Sequence, residues 1–84
     1  MLKYCLITGA SNGLGKYLSN ILYKNNFNLI LIYNKNDIDI SAFKYLSNNK
    51  NTKIIKFKCD LTSEIQVENL CNTLLINYVI IIIK

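Results

Sequence analysis

The sequence predicts an α/β fold built on a parallel sheet, and three observations carry that prediction. Short β-prone runs alternate with segments of helical periodicity along the whole chain. One run, residues 29–33, is continuously apolar, as a strand buried on both faces of a parallel sheet must be. A three-glycine loop joins the first strand to the first helix. The order β-α-β-α-β-α-β implies right-handed crossovers and a doubly wound sheet of about four strands and three helices.

Residues 4–8 form the first β-prone run, which closes in a turn at Gly9. Next, Leu14, Tyr17, Leu18, Ile21 and Leu22 make the i, i+3, i+4, i+7, i+8 stripe of an amphipathic helix. Asn25-Asn26 ends it, because asparagine tolerates the left-handed conformation at a helix terminus. After the apolar second strand, residues 34–39 are a polar loop. A short helix is expected over residues 41–47, with Ala42, Phe43, Tyr45 and Leu46 supplying its contacts, and a loop over 48–52.

Residues 53–59 read as a third strand with Ile55, Phe57 and Cys59 on one face. Lys56 and Lys58 share the other face and are expected to be solvated edge lysines, which deter edge-to-edge pairing. Asp60-Leu61-Thr62 leaves that strand. Ser63 and Gln66 have the spacing of a capping box, opening a helix whose stripe is Val67, Leu70, Cys71 and Leu74. Residues 78–83, a dense β-branched run, are the expected fourth strand.

With 84 residues the chain is at most one domain, and chains of this size bury only roughly 60–65% of their unfolded surface. Half the residues are hydrophobic, which argues for a folded piece. Every basic residue is a lysine, and proline, tryptophan and histidine are absent, a bias that an adenine- and thymine-rich coding sequence would produce. The net charge of +5 is spread from Lys3 to Lys84, so it does not point to nucleic acid. Cys5, Cys59 and Cys71 have neither zinc nor disulfide spacing and are expected to be small buried hydrophobes in a reducing cytoplasm. No metal site is expected. The start lacks the layout of a signal peptide, and the apolar run 74–83, interrupted by Asn77, is too short to span a bilayer, so no membrane partner is expected.

The loop between the first strand and helix is Thr8-Gly9-Ala10-Ser11-Asn12-Gly13-Leu14-Gly15. Gly9 lets the chain turn off the strand, Gly13 clears space where a pyrophosphate approaches the backbone, and Gly15 permits close helix packing. Phosphates would meet free N–H groups and the positive end of the helix. A nucleotide-hydrolase phosphate loop is excluded: it needs four residues before its Gly-Lys pair and a serine or threonine after it. Here five residues intervene between Gly9 and Gly15-Lys16, and Tyr17 follows.

The pattern Thr8-Gly-x-x-x-Gly-x-Gly15 resembles the cofactor loop of the short-chain dehydrogenase/reductase family, and Asp60-Leu61-Thr62 resembles the family element after its third strand. The resemblance covers residues 2–72 and implies a partial Rossmann-type sheet. It also implies that Asp60 and the Leu61 backbone hold an adenine, while Gly9, Ser11, Asn12, Gly13, Leu14 and Gly15 surround the pyrophosphate. In family register the ribose is read at Tyr33. The stretch Tyr33-Asn34-Lys35-Asn36 has no acid; Asn34 and Lys35 suit a 2′-phosphate, which favours NADP(H) over NAD(H). Asn12, where many NADP-preferring members carry a basic residue, and the nearby Asp37 lean the other way.

The resemblance implies hydride transfer with a tyrosine acid/base and a lysine four residues later, since an unassisted phenol, pKa about 10, transfers protons poorly near neutrality. The residues at that spacing from the six tyrosines are Thr8, Ile21, Phe27, Asp37, Asn49 and Ile82. No catalytic residue is therefore assigned. The expectation is that residues 1–84 are the N-terminal part of a single NAD(P)-binding domain whose catalytic half is absent. The apolar character after Asn72 fits either a frameshift or premature stop near residues 72–75, or a genuine apolar strand. The resemblance implies that full-length relatives oligomerise; this piece, with a single helix on one apolar sheet face and an unpaired outer edge, is expected to aggregate or be unstable. Two alternatives stand beside the enzyme fragment: a non-enzymatic nucleotide-binding or interaction module, and a remnant without function.

Overall fold

A computed structural model describes residues 3–46, 51–77 and 79–83. Residues 47–50 and Tyr78, given places in the helix, loop and strand expected above, lie outside the described residues.

Four strands, β1 (Lys3–Ile7), β2 (Asn28–Tyr33), β3 (Ile54–Lys58) and β4 (Val79–Ile83), form one sheet in the order β3-β2-β1-β4. All neighbours are parallel: Cys5 faces Leu29 on one side and Ile81 on the other, and Ile30 faces Ile55. The ladder extends past β3 at both ends, where Leu29 N–H donates to the Lys53 carbonyl at 2.9 Å and Cys59 N–H to the Tyr33 carbonyl at 2.8 Å.

Two helices cover opposite faces, α1 (Gly13–Lys24) and α2 (Glu64–Asn77). On one face Cys5, Ile7, Leu29 and Leu31 pack with Tyr23 of α1 and with Phe43. On the other, Tyr4, Ile30 and Ile32 pack with Cys59 and with Leu74 of α2. Leu29, Ile30 and Leu31 have no exposed surface, which accounts for the unbroken apolar run. Each such side chain contributes roughly 1.5–3 kcal/mol through burial. This is a parallel, Rossmann-like sheet layered on both faces.

Four details differ from the sequence expectations. The middle crossover is a 3-10 helix, Ile40–Tyr45, so the described residues hold two α-helices rather than three. Asp39 caps it, accepting from Ser41 N–H at 3.0 Å. The segment is short and β-branched at its start, too little to complete α-helical turns.

The buried face of α1 is also displaced from the expected stripe. Leu14 and Tyr17 are 77% and 66% exposed, whereas Ser19 is fully buried and Tyr23 nearly so. The face toward the sheet runs through Gly15, Ser19, Leu22 and Tyr23, one residue round from the apolar pattern. Ser19 tolerates burial because its hydroxyl donates to the Gly15 carbonyl at 2.6 Å. Tyr23 meets Phe43 edge to face, with ring centroids 5.5 Å apart.

Cys71 is exposed rather than buried, while Cys5 and Cys59 are buried as expected. Finally, the capping box forms only in half: Ser63 Oγ accepts from Gln66 N–H at 3.3 Å, but Gln66 Oε1 takes the Asp60 N–H at 2.8 Å instead of returning to Ser63. At the C-terminal end of α1 the expectation holds, since Asn26 has φ 68°.

Candidate functional site

The β1–α1 loop and the segments leaving β2 and β3 emerge at the same end of a parallel sheet and enclose a cleft of about 360 Å³. Its walls include Gly9, Ser11 and Asn12 from the first loop, Tyr33, Asn34 and Lys35 from the second, and Asp60 and Leu61 from the third. Eight of the eleven residues singled out from the sequence therefore meet in one place. The other three, Gly13, Leu14 and Gly15, open α1 immediately beside it.

The glycines explain how the loop reaches this shape. Gly9 and Gly13 have φ of +61° and +52°, a region that other L-residues occupy only at a cost. A side chain on either would meet open space, so conformation and not crowding requires glycine there. Gly15 is the reverse: a Cβ would lie 2.8 Å from the Gly9 carbonyl carbon and 3.1 Å from the Thr8 oxygen. The close approach expected of Gly15 is thus to the end of β1 and its loop. The Ala10 N–H, donating to the Ile32 carbonyl at 3.4 Å, ties the loop to the end of β2.

The N-terminus of α1 carries no side-chain cap. Asn12 occupies the N-cap position with an extended backbone, yet its side chain makes no capping bond, and no acid lies in the first turn. Free N–H groups at the positive end of a helix suit an anion. An added phosphate fits what is present: open space at Gly13 and uncapped donors beyond it.

At the far side Asp60 is held in one rotamer. Its Oδ1 accepts from Thr62 N–H at 3.0 Å and from the Thr62 hydroxyl at 2.7 Å. These bonds, with a smaller contribution from the Lys35 charge, hold its carboxyl below the usual range, so it is an ionised acceptor at neutral pH. No bond to Oδ2 is found among the described residues. Burial raises the neighbouring Cys59 thiol, with the Asp60 charge adding to the effect, so Cys59 is neutral lining and not a nucleophile.

The order of the strands puts β1, whose loop forms one wall of the cleft, beside the point where the chain reverses direction across the sheet. The chain runs outward from β1 through β2 to β3, then returns to place β4 on the opposite side of β1. Ligands of open α/β sheets bind at such a reversal, beyond the carboxyl ends of the strands. No group of three His, Cys, Asp or Glu side chains able to hold a metal occurs among the described residues. No helix among them is long and apolar enough to cross a membrane.

Sequence reasoning missed the role of Lys56. It is a partly exposed lysine of the edge strand, as expected, but it is not free: its Nζ donates to Asp37 Oδ1 at 2.7 Å and to the Ile38 carbonyl at 2.9 Å. The available signal was alternation. Lys56 shares a strand face with Ile54, which packs toward the core on the α1 side, and Asp37 and Asp39 are the sole acids ahead of Asp60.

Fold and cleft together define a partial Rossmann-like nucleotide-binding architecture. The chain matches the short chain dehydrogenase family over residues 3–81, and it belongs to that family. The match runs past Asn72 into β4, further than the resemblance seen in the sequence alone.

Proposed function

We propose that this chain is the N-terminal part of a single NAD(P)-binding domain and holds the adenosine and pyrophosphate of a nicotinamide dinucleotide, NADP(H) in preference to NAD(H). The observation that carries the reading is the meeting of the uncapped α1 terminus, the Tyr33-Asn34-Lys35 segment and the pinned Asp60 around one cleft. In this reading the N–H groups of Gly13, Leu14 and Gly15 take the pyrophosphate. Asp60, kept ionised by Thr62, accepts a hydrogen bond from the adenine amine, and the Leu61 backbone borders the ring.

The preference for NADP(H) is supported by charge. Residues 33–36 contribute one lysine and no acid to the ribose end of the cleft. Lys35 would attract a 2′-phosphate, and Asn34 would donate to it. Asp37, the acid that opposes this preference, is paired with Lys56.

Bound nicotinamide supplies the carbon that gives or receives hydride in reactions of carbonyl and alcohol substrates. The part of this chain is to bind and orient the cofactor. No Tyr-x-x-x-Lys pair occurs in the 84 residues, so no proton-transfer group is assigned to them.

Titration of the full chain with NADPH, followed by nicotinamide-free competitors such as ADP, tests the reading. Saturable binding displaced by ADP is expected. Absence of saturation up to about 1 mM, a free energy near −4 kcal/mol, would sink it.

A further inference from the structure

One cation from β3 fastens the segment that leaves β2. Lys56 Nζ reaches Asp37 Oδ1 at 2.7 Å and the Ile38 carbonyl at 2.9 Å, and stands 5.7 Å from the centroid of the Tyr33 ring. Tyr33 is the residue at the ribose position of the proposed cofactor cleft.

The fastened segment is also a partition. Residues 33–36 wall the cofactor cleft. Asp37 lines a second cleft of about 330 Å³ between α1 and the 3-10 helix and is not among the residues walling the first, and the two clefts share Ser11. Asp37 is therefore one residue beyond the wall that a ribose would touch. A carboxylate released from its ion pair there would accept from a 2′-hydroxyl and repel a 2′-phosphate. The bond to Lys56 compensates its charge and ties it to β3, beside the second cleft.

We propose that Lys56 is a positioning residue for cofactor selectivity: by keeping Asp37 paired behind Tyr33, it leaves Asn34 and Lys35 to meet a 2′-phosphate. This rests on the cofactor reading above. Lys56 contacts no part of the cofactor itself and acts through Asp37. The pairing also accounts for a sequence that carries an acid near the ribose yet favours the phosphorylated cofactor.

Two probes isolate the effect, adenosine 2′,5′-bisphosphate and 5′-AMP, which differ by the 2′-phosphate alone. Their affinities for the full chain at low salt give a selectivity ratio by calorimetry. Lys56→Met is expected to lower that ratio about fivefold, the size of one nearby charge in a solvated site. In an Asp37→Asn background the same substitution is expected to change it less than about twofold. Lys56→Gln carries the same test if the methionine variant fails to fold.

The outcomes separate the two claims. Tight binding of both probes with a ratio insensitive to Lys56 overturns the role of Lys56 and leaves the cofactor reading standing. An equal loss in the Asp37→Asn background also overturns it, since Lys56 would then act by its own charge. Failure of adenosine 2′,5′-bisphosphate to bind the parent chain overturns the cofactor reading and this inference with it.

Discussion

Gly15 approaches Gly9 so closely that a Cβ at position 15 would stand 2.8 Å from the Gly9 carbonyl carbon. Backbone meets backbone there, so neither side can yield by changing a rotamer. The contact sets both the rotation of α1 and the curvature of the loop that lines the cleft.

Alanine at position 15 is accordingly expected to be worse than alanine at position 13. Gly15→Ala must push helix and loop apart, costing about 1–3 kcal/mol as overpacking does, and it should weaken nucleotide binding in parallel. Gly13→Ala meets open space and bears only the left-handed conformation, about 1–2 kcal/mol. Urea midpoints of the two variants, measured beside NADPH affinity, check the order.

The cysteines divide by exposure. Cys71 is accessible, whereas Cys5 and Cys59 are buried and their thiols are raised by burial. A thiol reagent is expected to label one cysteine quickly in the folded chain and all three in denaturant. Rapid labelling of Cys5 or Cys59 without denaturant would contradict the two-layer packing.

Stability should fall at both extremes of pH. The Lys56 ammonium and Ile38 N–H hold Asp37 below its ordinary value of 3.8, and the Thr62 bonds do the same for Asp60. Depressed carboxyls contribute above their unfolded pKa and lose that contribution as pH falls through the folded values. Lys56 is raised above 10.5 by Asp37, so its contribution is present below that pH and is lost as pH rises through the raised value. All three groups are solvent-screened and the effects are small. In Asp37→Asn the difference from the parent is expected to be largest near neutrality and to shrink in acid, as followed by urea midpoints across pH.

Exposed apolar side chains predict self-association. Leu14, Tyr17, Ile65 and Leu75 are between 66% and 79% exposed, and β3 and β4 are both sheet edges. Ile65→Lys with Leu75→Glu is expected to raise solubility while changing stability by less than about 0.5 kcal/mol per site. Light scattering and urea unfolding of the double variant test this. A loss of several kcal/mol would show that these residues pack in the folded chain.

Much of the candidate site was legible because glycine and acid positions carry backbone information locally. The run Thr8 to Gly15 lies within one turn and one helix start, so its spacing alone implies the loop. Asp60 was legible for the same reason, as it directly follows a strand. Lys56 was not, because its partner lies nineteen residues away and reaches it through the pairing of β2 with β3. Gln66 takes a different donor from the one a capping box implies: spacing does not show that Ser63 N–H is occupied by the Asp60 carbonyl at 2.9 Å, while Asp60 N–H is left for Gln66.

The alternation of elements, the doubly buried β2 and the glycine loop follow from the sequence by itself, because each depends on residues close together in the chain. The tertiary structure alone decided the rotation of α1, where Gly15 pressed on Gly9 overrides the apolar stripe and buries Ser19 in place of Leu14. It also decided that Asp37 pairs with Lys56, a contact made through the pairing of β2 with β3. Both outcomes depend on where separate strands and loops meet, and contact between distant segments is the one quantity that local periodicity does not encode.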